Sequence, residues 1–145
     1  LPAYRPGDAQ LQADQPAAKA WMVRYNAALA ESPARRHALP GERLGMAGRG
    51  AVVRPPFHCD YGYNIHLGEE VLLNISCEIL DVAPVRIGVG MQIGPVVQLY
   101  AADRPRDAAQ RAAGLQFGRP LTIGRNAWIG SGAVVLPRGR PATMR

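Results

Sequence analysis

Few side chains in this chain can do chemistry, and their spacing limits what that chemistry is. Three histidines are present, His37, His58 and His66, and two cysteines, Cys59 and Cys77. The cysteines form neither a CxxC pair nor a zinc cluster and cannot build a disulfide framework, so they read as small buried thiols in a reducing compartment. The densest charged set is Asp103, Arg104, Arg106, Asp107 and Arg111, all within one polar stretch. Carboxylates with ordinary pKa values near 4 are poor bases toward a hydroxyl group. A guanidinium, with a pKa above about 12, takes no proton at neutral pH but can hold a phosphate or a carboxylate.

The whole-chain arithmetic narrows the partners. The 145 residues carry 17 Lys+Arg against 11 Asp+Glu, a net charge of +6. That length is one modest domain's worth of chain. The arginines are scattered and no basic stripe alternates with stacking aromatics, so a solvated surface or a small anionic cofactor fits better than nucleic acid. No run approaches the roughly 18 apolar residues of a membrane helix, and no charged-then-apolar leader is seen, which predicts a cytoplasmic protein without membrane contact. Hydrophobic residues at 48% against 19% charged exclude a disordered chain, and with two Phe and two Trp the core must be aliphatic.

Two kinds of element must position the polar groups. Over residues 1–46, Ala18, Trp21, Met22, Tyr25, Ala28 and Leu29 recur three and four apart, the stripe of an amphipathic helix. The spacing predicts a helix from about 16 to 30, with Pro16 in its first turn. Ser32-Pro33 opens a second helix, which Pro40-Gly41 should end early.

Over residues 57–137 the period is six. Leu67, Leu73, Ile79, Ile87, Ile93, Leu99, Ile123, Ile129 and Val135 each follow, two residues on, a second apolar position: Ile65, Val71, Cys77, Val85, Met91, Val97, Leu121, Ala127 and Ala133. Glycine beside these aliphatics, at 68, 88, 94, 124 and 130, completes a hexapeptide β-helix signature. Three units close a triangular coil of 18 residues, each coil burying its aliphatics only against its neighbours. Periodicity leaves the hand of the coil open. On this count Cys59 and Cys77 stack about 4.8 Å apart. Residues 103–118 break the pattern as a polar excursion, and a long loop inside a compact repeat is often functional. His66 precedes the inward Leu67 and should face outward. His58 and His37 read, like it, as surface or packing residues, and the three do not fall on successive coil corners where they could share a zinc ion.

The run from Phe57 to Gly68, then Asn74, Leu80 to Gly88, and Trp128-Ile129-Gly130-Ser131-Gly132 strongly resembles the maltose and galactoside O-acetyltransferases, a family that includes the nodulation acetyltransferases. Tyr4, Asp8 and Arg24-Tyr25-Asn26 extend the likeness into the helical front. The resemblance implies a left-handed parallel β-helix assembled as a homotrimer. It also implies acetyl-CoA in the groove between prisms, a small sugar acceptor and no metal. The excursion of such proteins reaches the adjacent subunit and supplies a histidine, in a Y-T-A-x-H-P stretch, that acts as general base on the sugar hydroxyl. Here the matching stretch is Tyr100-Ala101-Ala102-Asp103-Arg104-Pro105, so Arg104 holds the base position. A Glu usual two residues after the following Gly has become Gln116. With Arg104 unable to take a proton, Asp103 is the reserve base. Asp60, Asn74 and Asp81 match acceptor-side positions, and Ser131, beside Gly130, matches a contact to acetyl-CoA. Asp60 and Asp81 can instead cap turns, and Asn74 reads equally as the stacked bend of a hexapeptide corner.

The family pattern continues beyond Val-Leu-Pro with further hexapeptides, whereas residues 138–145 do not follow it. The expectation is a missing coil and an uncapped prism end, open to fraying or association. Residues 142–145, Ala-Thr-Met-Arg, are what a G+C-rich coding of the family's Gly-Asp-Asn-Ala gives when read one base later, which suggests a frameshift. Function on these grounds is a sugar O-acetyltransferase of the maltose, glucose or galactoside type, impaired at Arg104. The alternatives are a non-catalytic hexapeptide binding protein and a truncated product.

Overall fold

The computed structural model describes residues 3–30 and 32–137. The expectations for residues 138–145 lie outside the described residues, as does the side chain of His37.

The chain opens with a short strand, β1 (Ala3–Tyr4), followed by α1 (Ala9–Ala27), a single 3₁₀ turn (Ala28–Ala30) and α2 (Pro33–Arg43). The first helix starts well before Pro16. Asp8 stands at its N-terminus, Gln12 N–H bonds to the Asp8 carbonyl at 3.0 Å, and Gln10 pairs with Asp14 one turn on at 3.0 Å. Pro16 therefore lies inside the helix, where its missing N–H removes one bond without ending the element. The Ser32 hydroxyl accepts from Arg35 N–H, as its place before Pro33 predicts. Pro40-Gly41 does not end α2, which runs on to Arg43. Leu39 and Pro40 are buried, the Trp21 indole donates to the Leu39 carbonyl at 2.9 Å, and Leu44 N–H closes on the Pro40 carbonyl at 2.8 Å. Tertiary anchoring here outweighs local propensity.

Twelve short parallel strands follow in three faces. They are β2 (Met46–Ala47), β3 (Val52–Val53), β4 (Phe57–Cys59), β5 (Ile65–Leu67), β6 (Leu72–Leu73), β7 (Cys77–Leu80), β8 (Val85–Ile87), β9 (Gln92–Ile93) and β10 (Gln98–Tyr100). After the excursion, which contains β11 (Ala102–Asp103), α3 (Ala108–Ala112) and β12 (Gln116–Gly118), come β13 (Leu121–Ile123), β14 (Trp128–Ile129) and β15 (Val134–Val135). The first face stacks β2-β5-β8-β13, the second β3-β6-β9-β14 and the third β4-β7-β10-β15. This is a left-handed parallel β-helix, as expected.

The period-six aliphatics point inward: Ile65, Leu67, Leu73, Ile79, Val85 and Val97 are among the fully buried core. The prism, however, begins at Met46 rather than at residue 57, since β2 and β3 already belong to its faces. Its coils are also longer than 18 residues. Phe57 pairs with Cys77, Ile65 with Val85 and Leu72 with Gln92, a step of 20. The two extra residues sit at each corner between the third and first faces, so the eight-residue step from Ile79 to Ile87 recurs from Cys59 to Leu67. Cys59 therefore stacks on Ile79, not on Cys77. Both thiols are buried and free.

At the corner between the first and second faces, glycines let coils approach. A Cβ on Gly88 would lie 2.4 Å from the Gly124 carbonyl oxygen. At the other end of the prism α1 lies against β4: Trp21 stacks on Tyr25 with ring centroids 4.8 Å apart, both meet Phe57 edge-on, and the Asn26 amide bonds both backbone groups of Phe57 at 3.0 and 2.7 Å. The excursion leaves the third face as an antiparallel hairpin of β11 and β12, and β1 adds to its free edge with Tyr4 opposite Gln116.

Candidate functional site

The corner between the third and first faces collects the polar groups. Three coils stack there, contributing residues 60–64, 81–84 and the excursion, and β1 crosses over them. Asp81 is fully buried. Its carboxylate accepts Tyr61 N–H at 2.9 Å and Asn64 N–H at 3.2 Å, while the Asn64 amide returns a bond to the Asp81 carbonyl at 2.8 Å. The turn it holds needs glycine: Gly62 has a φ of +87°, and a Cβ there would press on Arg43 Cγ at 2.7 Å. Burial raises the Asp81 pKa, and the backbone N–H groups oppose that rise. All of its bonding capacity points into the turn, the cap geometry its place before the Ala83-Pro84 insertion allows.

Asp60 follows β4 on the same corner. Its side chain makes no hydrogen bond or ion pair among the described residues. Burial first, then the negative charges of Asp81 and Glu78, push its pKa up to about 6. Glu78 is itself engaged by the Tyr100 hydroxyl at 3.2 Å, and Tyr100 also reaches Gln98 at 2.6 Å.

Arg104 is exposed on the hairpin, and hydrogen bonding turns the Gln116 carboxamide oxygen toward it. That oxygen accepts from Nη1 at 2.6 Å and Nη2 at 3.0 Å, while the amide nitrogen donates to the Tyr4 hydroxyl at 2.9 Å. The two departures from the family pattern therefore meet as one hydrogen-bonded pair. Tyr4 feels the charges of both Asp60 and Arg104. Burial, then Asp60 and Tyr61, raise its pKa to about 12 against the opposing pull of Arg104. Asp103, the reserve base, is occupied: its carboxylate accepts Arg104 N–H at 2.8 Å and pairs with Arg119 at 3.4 Å. A cleft of about 240 Å³ opens beside Tyr4, lined by Asp8, Leu11, Val82, Ala83 and Gly118.

The remaining candidates lie at a different corner, between the second and third faces. Asn74 spends its side-chain oxygen on Ile75 N–H at 2.8 Å, and its amide nitrogen has no partner among the described residues. Gly130 and Ser131 stand two coils on, where the Ser131 hydroxyl donates to the Pro95 carbonyl at 2.9 Å. Within one chain the structure brings Asp60 and Asp81 together, sets Asp103 and Arg104 on the hairpin next to that corner, and keeps Asn74, Gly130 and Ser131 at another corner. His58 is exposed on the third face, and His66 is half-buried on the first beside Arg86. Burial, then Arg86, lowers the pKa of His66. Among the described residues no group of three His, Cys, Asp or Glu could hold a metal ion, and no helix is long and apolar enough to cross a membrane. Sequence reasoning missed Glu78 and Tyr100. Their signal, an outward position on successive strands of one face, appears only once the 20-residue coil is known.

A β-helix of hexapeptides with a helical cap and a hairpin excursion defines a hexapeptide-repeat transferase architecture, and comparison with known proteins agrees. Residues 3–48 match the maltose acetyltransferase hexapeptide capping motif. The chain is 56% identical to Nodulation protein L of Rhizobium leguminosarum bv. viciae over 134 residues, 92% of this chain and 70% of that protein. Its fold superposes on a maltose O-acetyltransferase from Clostridium difficile 630 with a TM-score of 0.89 and 35% identity, covering 93% and 72% of the two chains. A galactoside acetyltransferase solved in complex with coenzyme A gives a TM-score of 0.88 and 31% identity, covering 93% and 68%. The chain belongs to the maltose and galactoside O-acetyltransferase family of hexapeptide-repeat acetyltransferases.

Proposed function

We propose that this chain moves an acetyl group from acetyl-CoA to a hydroxyl of a small sugar of the maltose, glucose or galactoside kind. The observation that carries the reading is the corner described above. Asp60 and Asp81, at the acceptor-side positions, lie on it, and Tyr4 links it through Gln116 to Arg104 at the base position. In this reading Gly130 and Ser131 border the acetyl-CoA groove, and Asn74 supplies an acceptor-side amide from the same corner. Because those residues sit on the opposite edge of the third face, a homotrimer that sets one prism's edge against the next would complete each site. Arg104 makes the transfer slower than in a relative with histidine there, since general-base assistance is worth roughly 10²–10⁴-fold.

The same arginine favours a second reading, a protein that binds coenzyme A or a sugar without turnover, because a fixed positive charge serves anion binding better than proton transfer. The test is acetyl-CoA turnover by thiol release, with maltose, glucose and galactosides as acceptors and a histidine-bearing family enzyme as control. Acceptor-dependent release above background supports the first reading. Saturable coenzyme A binding without release supports the second.

A further inference from the structure

We propose that Arg104 is the recognition site for an oxyanion on the acceptor, so that the sugar this chain takes carries a carboxylate. This rests on the acetyltransferase reading above.

A guanidinium presents its N–H donors along two edges, each able to grip a pair of oxygens. One edge of Arg104 is occupied, since Nη1 and Nη2 both donate to the Gln116 carboxamide oxygen, at 2.6 and 3.0 Å. Gln116 is itself fixed: it is only 9% exposed, and its amide nitrogen donates to the Tyr4 hydroxyl at 2.9 Å. The other edge, Nε–H with the outer Nη2–H, meets no acceptor among the described residues, and Arg104 is exposed.

The carboxylates of the region are engaged elsewhere. Asp103 pairs with Arg119 at 3.4 Å and accepts the Arg104 backbone N–H at 2.8 Å. Asp107 caps α3 by accepting Gln110 N–H at 2.8 Å, and Asp8 accepts Arg5 N–H at 3.2 Å. Arg104 itself has no ion pair among the described residues. Residues 103–119 carry four arginines against two aspartates, so the surplus charge of the excursion is positive. Arg111 folds back to donate to the Pro105 carbonyl at 2.9 Å, which braces the segment next to Arg104. A cation already oriented by a buried amide, with its second edge open, loses little freedom when an oxyanion docks on it by two parallel N–H···O bonds.

The chemistry of the two substrates says which of them brings the anion. By the family resemblance Arg104 holds the base position, beside the transferring acetyl group. Coenzyme A carries its phosphates at the far end of the pantetheine arm from that group, so the oxyanion at Arg104 belongs to the acceptor. A uronic acid, a sugar ring bearing a carboxylate, is that class of molecule. A neutral sugar leaves the open edge to water.

The experiment pairs rings that differ in the carboxylate, glucose with glucuronate and galactose with galacturonate, in calorimetric binding and in acetyl-CoA thiol release by the full chain. The expected result at low salt is tighter binding of each uronate by about tenfold or more, with a matching rise in kcat/KM, as a charge-assisted pair gives. Raising NaCl from about 0.02 M to about 0.5 M should shrink that preference by about threefold or more. In Arg104→Ala the paired sugars should bind within about twofold of each other, and Arg104→Lys, which keeps the charge and loses the fork, should keep less than about half of the preference.

Equal binding of the paired sugars by the wild type would overturn the proposal, and that result needs no variant to fold. A preference that survives Arg104→Ala would overturn it as well. So would an Arg104→Ala defect confined to coenzyme A and absent for 3′-dephospho-coenzyme A, because the anion would then belong to the donor. Arg104-dependent uronate binding without thiol release would sustain the anion site and end the acetyltransferase reading. Turnover of neutral sugars with no uronate preference would do the reverse.

Discussion

One guanidinium and one amide oxygen, those of Arg104 and Gln116, are joined by two hydrogen bonds across the β11–β12 hairpin. By the family resemblance these two positions would carry a base and its carboxylate partner, and here they hold a pair that also fits together, a cation and a neutral amide. The consequence is that the two positions should behave as a unit in mutagenesis.

Arg104→His alone should raise acetyl transfer less than about tenfold, because a neutral Gln116 amide cannot stabilise an imidazolium. Arg104→His with Gln116→Glu should raise it by about 10²-fold or more, in the range typical of a positioned general base. Thiol-release kinetics on the two variants decides the matter, and additive single effects would contradict the coupling.

Asp60 has a folded-state pKa raised to about 6 from 3.8. A carboxyl group raised on folding favours the folded state most when protonated, so its contribution is full below about pH 4 and is lost as pH rises through about 6. Asp60→Asn should therefore raise Tm at pH 7 to 8 and leave it unchanged near pH 4. The upper bound is about 3 kcal/mol, and solvent contact reduces it to about 1–2 kcal/mol. Thermal melts across that pH range test it.

The pKa of Asp81 is also raised by burial, but its carboxylate satisfies two backbone N–H groups in a dry turn. Asp81→Ala orphans both donors and should cost about 2–5 kcal/mol. Urea titration would show it, and a loss under 1 kcal/mol would mean that water replaces the carboxylate.

Burial, then Asp81 and Asp60, raise the Cys59 thiol pKa to about 12, and burial raises that of Cys77. Neither thiol should react with iodoacetamide at pH 8 in the folded chain, while both should react in denaturant. Mass spectrometry counts the adducts directly.

Most of the prism was legible in the sequence because each inward aliphatic reports the same physical fact, stacking on the coil before and after. What the period concealed was the corner. The eight-residue step from Ile79 to Ile87 stands out between aliphatics, but its counterpart from Cys59 to Leu67 starts on a cysteine, and missing it displaced the Cys59–Cys77 pairing by two residues. Pro16 and Pro40 misled for a different reason: local rules mark them as helix ends, while the Trp21–Tyr25–Phe57 packing and the Leu39 carbonyl keep the helices going. The candidate site was named as residue types against a family pattern. That Asp103 is occupied and Asp60 is not depends on which side chains meet across coils, and spacing alone does not carry that information.

The short strand β1 joins β12 through Tyr4 and Gln116, 112 residues apart in the chain. A contact of that sequence separation closes late, after the nearer coils have already accreted on one another. The pairing of β1 with β12 is therefore a clasp on that corner: long in sequence separation and only two residues wide, it should open while the prism still stands.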